Sequence, residues 1–394
     1  MTTTRWTADK AGRRHPVARL GRPAEDTLAR VDWVLLAAVL SLSMLGGLLI
    51  WSTTAGSSTI IGTDSLALVR RHAINLVIGL GLALAAGLVN YRLLRAYAPI
   101  LYLLSLLGLL AVLSPLGSVI SGARSWIILP GGMSVQPSEF AKLALVVGMA
   151  MILAEKRDAE DTPSHALIAQ ALLLAAVPLA LIMLQPDLGT GLAVVSLTLG
   201  VIAVSGAPTR WVAGLIGLGT AVATYALTSD VLEPYQRNRL TAFIDPATDP
   251  RGAGYQIRQV LNAIGSGGVT GQGLGRGAQT QGSFVPAQQT DFIFSVAGEE
   301  LGLVGAGGII VLFGIVFWRA YRIALHADEL FGRLVGTGVL CWFAFHVVEN
   351  IGMCLGLMPI TGIPLPFVSY GGSSMFADML AIGLLQNVHM KRYA

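Results

Sequence analysis

Of the 394 residues, 54% are apolar and only 12% are charged, and the mean hydropathy is +0.68. A soluble domain carries about 25% charged residues, so this composition excludes one and points to a membrane protein. The formal net charge of +4 is matched by the first 31 residues alone, where seven Lys/Arg face three Asp/Glu; the remainder is balanced, and no nucleic-acid partner is expected.

Residues 1–31 read as a basic cytoplasmic tail and residues 32–394 as a single transmembrane domain. The first apolar segment is too long for a signal-peptide core and lacks a clear small-residue cleavage site, so it is expected to remain as a helix. The predicted fold is all-α, a polytopic integral membrane protein of about ten transmembrane helices. In chain order the spans are Val34–Trp51, Ala73–Val89, Tyr97–Leu116, Phe140–Leu153, Ala166–Leu184, Leu188–Val204, Trp211–Leu227, Phe292–Trp318, Leu334–Leu357 and Ser374–Val388. An even number starting inside also ends inside, which puts both termini in the cytoplasm with Lys391 and Arg392. The short loops on that side carry Arg92 and Arg95, Lys156 and Arg157, Arg210, and Arg319 and Arg322, a positive-inside bias. Arg70 and Arg71 fall on the other side, where they serve either anionic headgroups or as snorkelling helix ends.

Four segments are assigned to the outer face: Ser52–Arg71, Gly117–Pro137, Ser229–Thr290 and Met358–Gly372. The third, a large extracytoplasmic loop (229–290) between the seventh and eighth helices, reads as Gly-rich and irregular and carries Arg237, Arg239, Arg251, Arg258 and Arg276. Loops longer than about 15 residues are usually functional or disordered. The apolar run Tyr255–Ile264 argues for a piece lying along the membrane surface. Cys341 and Cys354 fall thirteen residues apart on one predicted helix, so they cannot pair and read as small core residues.

Ionisable residues in membrane spans are functional candidates by default. Glu139 and Lys142 in QPSEFAK share a helix face, as a structural ion pair or as cavity groups. Asp187 in QPDLGT is placed to cap the sixth helix. Asp291, at the mouth of the eighth, is either an N-cap or a working carboxylate. Glu299 and Glu300 point to different faces, so at most one can share a cavity with Asp291. His346, Glu349 and Asn350 share a face of the ninth span, within reach of a His346–Glu349 hydrogen bond. The segment Gly356–Ser374, with three prolines and four glycines, cannot be a regular helix. Irregular backbone survives at membrane depth only when packed in protein or lining a wet cavity. Trp126 offers an aromatic on the same side, as a cavity wall or an interface anchor. Arginines suit phosphate or pyrophosphate and a carboxylate suits proton abstraction. This pattern fits a lipid-linked transferase and a lipid-phosphate transporter equally.

GARSW, QPSEFAK, QPDLGT, YQRNRLTAFIDPATDPRGAGYQIRQVLNAIGSGG, TDFIF with EELGLVG, and NIGMCLGLMPITGIPLPFVSYGGSS run in order from residue 122 to 374. Together they resemble the SEDS family (RodA, FtsW, SpoVE) of bacterial cell-wall polymerases. The resemblance implies a multi-pass protein of the bacterial cytoplasmic membrane. There it would act as an inverting peptidoglycan glycosyltransferase that polymerises lipid II into glycan strands at the outer face. It implies Asp291 as the essential acidic residue and Trp126 as important. Glu139, Lys142, Asp187, Arg237, Arg239, Ser369 and Ser373 become candidate substrate-binding residues. The partners implied are lipid II, the undecaprenyl-pyrophosphate-linked glycan and a class B penicillin-binding protein transpeptidase. A divalent cation (Mg or Mn) is a candidate cofactor with no assigned ligands. The short C-terminus favours the elongation member RodA over the division member FtsW, with a sporulation paralogue or a lipid II flippase as the alternatives. Two departures stand out. The family's Pro-Glu-x-His before TDFIF is Pro286-Ala287-Gln288-Gln289 here. Glu349 stands where an apolar residue is usual, and His346 where Gln is usual.

Overall fold

The computed structural model describes residues 30–55, 66–89, 91–120, 123–129, 133–155, 162–229, 232 and 234–391. Nearly all of the basic tail, Lys156, Arg157 and Arg392 lie outside these residues. The helices in chain order are α1 (Trp33–Ala55), α2 (Ala67–Leu88), α3 (Tyr91–Leu113), α4 (Pro137–Ala154), α5 (His165–Met183), α6 (Leu188–Val204) and α7 (Thr209–Thr228). They continue as α8 (Pro234–Ile244), α9 (Ala253–Gly267), α10 (Ala278–Gln281), α11 (Ile293–Glu300), α12 (Gly302–Leu325), α13 (Leu330–Cys354) and α14 (Gly372–Lys391).

Each of the ten predicted spans contains a helix. Among the described residues eight helices are long and apolar enough to cross a membrane, and α6 is a shorter apolar helix. α4 and α13 are buried along most of their length and form the centre. α13 packs on α4, α6 and α12, while α2 lies along α14. α7 has no buried residue and touches the bundle through α6 and, at Trp211, through His165 of α5.

Three expectations are corrected. The eighth predicted span is not one helix but α11 and α12, broken at Leu301. Gly302 takes φ +64 there, a left-handed backbone that suits glycine. A break at this depth frees N–H and C=O groups, which must be satisfied. The stretch after α9 does so. Leu303 and Val304 N–H donate to the Gly268 and Val269 carbonyls at 3.0 and 3.1 Å, and Gln272 and Gly273 N–H donate to the Glu299 and Glu300 carbonyls, both at 3.0 Å.

Second, the long loop is not irregular throughout, since it contains α8, α9 and α10. α9 covers the apolar run at Tyr255–Ile264 and buries Ile257, Val260 and Ala263 on one face, spaced as an amphipathic helix requires. It packs on α11. Third, Gly117–Pro137 folds as an antiparallel sheet in the order β1 (Gly117–Ile120), β2 (Ala123–Leu129), β3 (Met133–Val135). β2 lies over α3 and α4, and β3 against α14.

The end of the bundle remote from Asp291 is clamped by polar side chains. Asp32 binds Arg319 at 2.6 Å, accepts the Leu35 N–H at 3.0 Å, and exchanges two backbone bonds with the Gln386 amide. Asn387 donates to the last carbonyls of α2, at Ala86, Gly87 and Val89.

α2 and α14 approach so closely that a Cβ at Gly383 would run into the Ala83 carbonyl, whereas Gly81 on α2 faces open space. Gly383→Val is therefore expected to lower the melting temperature in detergent, by an overpacking cost of about 1–3 kcal/mol. Gly81→Ala, as the control, leaves melting at or above the wild-type value.

Candidate active site

Asp291 is set by a junction of two irregular stretches, residues 287–291 before α11 and residues 358–371 between α13 and α14. Its backbone N–H donates to the Ala287 carbonyl at 3.1 Å. Asn350 of α13 donates through Nδ2 to the Asp291 carbonyl at 2.7 Å and to the Ile363 carbonyl at 2.8 Å. The Ser369 hydroxyl donates to the Thr290 carbonyl and accepts the Leu365 N–H at 2.9 Å. Tyr370 N–H donates to the Gln289 carbonyl at 2.9 Å.

The Asp291 side chain does not cap a helix. The N-cap of α11 is Phe292, which makes no side-chain cap bond, so the capping alternative falls. The carboxylate instead faces Gly362, which is left-handed at φ +79. A Cβ on Gly362 would stand 3.4 Å from Asp291 Oδ2 and 3.6 Å from Arg239 Nη1. Arg239 Nη1 also donates to the Ile360 carbonyl at 3.2 Å. Thus α8 brings a guanidinium, and the 358–371 segment a bare backbone, to one half-buried carboxylate. Burial pushes the Asp291 carboxyl above the usual carboxylate range, with the Thr290 hydroxyl and Arg239 opposing.

The other sequence candidates divide by position. Asp187 caps α6, accepting the Thr190 N–H at 3.0 Å and hydroxyl at 2.9 Å, and it accepts Gln136 Nε2 at 3.2 Å. Ser373 accepts the Gln136 N–H at 3.0 Å and donates to the Ser134 carbonyl at 3.2 Å, tying α14 to the start of α4. Arg237 lies two residues from Arg239 on α8, hence on another face, and donates to the Ser229 carbonyl at 3.1 Å. Trp126 stands half-buried in β2, opposite Ser118.

Glu139 and Lys142 form a closed pair, 2% and 0% exposed, at 2.8 Å. Lys142 Nζ also lies 3.0 Å from His346 Nε2, which accepts Trp342 Nε1–H at 3.1 Å. Two donors on Nε2 place the ring proton on Nδ1, which turns to the Pro364 carbonyl. The expected His346–Glu349 bond does not form, because His346 is taken by this cluster and Glu349 faces Thr361.

A family model described as cell cycle protein, covering FtsW, RodA and SpoVE, matches residues 32–394. The chain belongs to the FtsW/RodA/SpoVE family. It is 38% identical over 360 residues to stage V sporulation protein E of Bacillus subtilis, covering 91% of this chain and 96% of that protein. It is 37% identical to the probable peptidoglycan glycosyltransferase FtsW of Trichlorobacter lovleyi, covering 92% and 93%. A solved structure described as structural coordination of polymerization and crosslinking by a peptidoglycan synthase complex superposes with a TM-score of 0.75. Its chain is 34% identical, with 92% of this chain and 98% of that chain covered.

Within this FtsW/RodA/SpoVE chain, Glu299 and Glu300 serve the loop rather than the site. Glu299, 0% exposed, accepts the Gln279 N–H at 2.7 Å, the Thr280 N–H at 2.9 Å and the Thr280 hydroxyl at 2.7 Å. Glu300 accepts the Ser52 hydroxyl and Gln281 Nε2. Sequence reasoning gave no role to Asn350, Gly362 or Asp378. The first and last are polar groups inside apolar helices and were open to the same rule that found Lys142. Gly362 could not be told from its neighbours without the backbone angle.

Among the described residues no group of three or more His, Cys, Asp or Glu could hold a metal ion. Asp291 meets a guanidinium instead of a second carboxylate, so the site forms no protein cage for the divalent cation considered from the sequence. A magnesium ion commonly takes only one or two carboxylates plus substrate phosphates, and Asp291 is the residue that would contribute.

Glu299→Leu is expected to strand three donors at α10, each costing about 1–3 kcal/mol when left buried. Limited proteolysis should then cut within residues 271–285 faster than in the wild type, with the α12–α14 core still resistant.

Proposed function

We propose that this chain is a peptidoglycan glycosyltransferase that polymerises lipid II into glycan strands at the outer face of the bacterial cytoplasmic membrane. Asp291 is its general base. The observation that carries this reading is the half-buried Asp291 carboxylate, outside the spanning helices and facing Arg239 across Gly362. The relative FtsW is named a probable peptidoglycan glycosyltransferase, which supports the same chemistry here.

In the proposed reaction, the 4-hydroxyl of the acceptor sugar attacks C1 of the lipid-linked donor. The new O–C1 bond forms as the C1–O bond to pyrophosphate breaks, and the anomeric centre inverts. The hydroxyl proton passes to Asp291, and undecaprenyl pyrophosphate leaves with the electron pair. The leaving group supplies the driving force, so no nucleotide is consumed. A sugar hydroxyl is a poor nucleophile, and a placed base contributes about 10²–10⁴-fold. Arg239 provides positive charge where the pyrophosphate accumulates negative charge. The polyprenyl tails remain in the bilayer.

Arg210, Arg319, Arg322 and Lys391 belong to the end of the bundle opposite Asp291, which supports a cytoplasmic position for that end and for both termini. The likeness to a chain of a synthase complex supports work beside a class B penicillin-binding protein. Identity to the sporulation relative and to FtsW, 38% and 37%, does not choose a branch. The elongation role rests on the resemblance to RodA and is tested by restoring rod shape to cells depleted of their own elongation polymerase.

A lipid II flippase is the rival class. Purified protein, with and without its partner, is incubated with labelled lipid II: glycan chains are expected, and lipid movement without chains would overturn the polymerase reading. Asp291→Asn, in a normally folded complex, should lower turnover by about 10²–10⁴-fold, and near-wild-type activity would remove Asp291 as the base. Because the Asp291 carboxyl is raised, the base is lost as pH falls through a value above the ordinary carboxylate range. The acid limb of the pH–rate profile should sit there, and Arg239→Gln should move it to higher pH. Gly362→Ala places a methyl group between carboxylate and guanidinium on a left-handed backbone and should depress turnover without unfolding the protein.

A further inference from the structure

Deeper in the bundle than Asp291, a second set of polar groups is enclosed by α4, α13 and α14: Glu139, Lys142, Trp342, His346 and Asp378. All are buried, Lys142 and Trp342 to 0% exposure and the others to 2–3%. The Lys142 ammonium lies 4.7 Å over the Trp342 ring, besides its bonds to Glu139 and His346. Glu139 and Lys142 are also the charges that act on Asp378. Groups so placed touch no substrate in the proposed reaction.

They do touch the segment that shapes the site. The His346 ring faces the Pro364 carbonyl, and the Asp378 carboxyl faces the Phe367 N–H. Phe367 holds φ +65, a left-handed conformation rare for a bulky side chain and persistent only when the surroundings over-determine it. Its ring packs edge-on against Phe343 at 5.4 Å, and a Cβ at Gly46 of α1 would strike the Val368 carbonyl. On either side of these anchors the same segment presents Gly362 to Asp291 and Ser369 to the Thr290 carbonyl.

We propose that His346 and Asp378 are positioning residues for the reaction at Asp291. They fix the strained 364–367 turn so that Gly362 and Ser369 meet the 290–291 stretch in one conformation. Lys142 pairs with Glu139 in the same enclosure. The proposal rests on the polymerase reading for its kinetic readout alone.

The test compares Asp378→Leu and His346→Leu with Asp378→Asn and His346→Gln in the full chain with its partner. Asparagine keeps an acceptor for the Phe367 N–H. Glutamine keeps an acceptor for Lys142 and Trp342 and a donor for Pro364. Two quantities are read: hydrogen–deuterium exchange over residues 360–371, and kcat and KM for lipid II polymerisation. The leucine variants should exchange faster over 360–371 alone and lose about 10–100-fold in kcat at unchanged KM, and the conservative variants should recover both. Should a leucine variant not fold, Asp378→Ser, too short to reach the Phe367 N–H, takes its place with the same expectations. Wild-type exchange and kcat in the non-conservative variants would overturn the proposal, as would conservative variants that fail equally. A wild-type protein that forms no glycan while 360–371 still loosens in the variants would sink the polymerase reading and leave the positioning role standing.

Discussion

Every peptide group that leaves regular structure inside the bundle has to find a partner in the protein, because hydrocarbon offers none. The two irregular regions of this chain are answers to that requirement. At Leu301, where the eighth apolar segment breaks, the stretch after α9 supplies carbonyls for the first N–H groups of α12 and N–H groups for the last carbonyls of α11. Around Asp291, residues 358–371 and Asn350 do the same for residues 289–291. The long loop is therefore the part that makes a broken helix tolerable. Without the break α11 and α12 would run on as one helix past the 268–273 backbone that both now engage.

The same accounting separates the carboxylates. Asp187 accepts three hydrogen bonds, Glu299 three and Glu300 two. Glu139 is paired with Lys142. Groups so committed hold the fold, and taking a proton from a substrate would cost them those bonds. Asp291 has one neighbouring hydroxyl and a guanidinium facing it, and it remains half-buried. Its low commitment singles it out, more than its place at the start of a helix.

Much of this was legible in the sequence. Hydropathy located a helix in every predicted span, and the apolar run at Tyr255–Ile264, read as ordered, falls within α9. The proline- and glycine-rich Gly356–Ser374 read correctly as irregular backbone, because prolines and left-handed glycines leave few other choices. The break at Leu301 was not readable: Gly302 looks like the other glycines that lie inside apolar helices, and the break depends on Gly268–Gly273, some thirty residues upstream. Nor could spacing decide Asp291 between cap and base, since helix α11 starts one residue later than expected and Phe292 takes the cap position. Glu299 and Glu300 misled for a related reason: the sequence shows a carboxylate in an apolar run but not the Thr280 and Ser52 groups that occupy it.

Two tiers of charge follow from these constraints, and their depths suit different tasks. At the mouth, Asp291 and Arg239 are partly open to solvent, so a carboxylate there can change protonation state without leaving an uncompensated charge in the core. Below, Glu139, Lys142 and Asp378 are sealed, and removing one partner of a buried pair strands the other at a cost of about 3–5 kcal/mol. A sealed pair of that kind is a poor proton shuttle but a firm support, since its geometry can relax only by separating charge. The 358–371 segment lies between the tiers and faces both. In the proposed reaction the chemistry needs an upper group free to titrate and a lower one that does not move, and one irregular segment in contact with both meets that need more directly than a helix passing through.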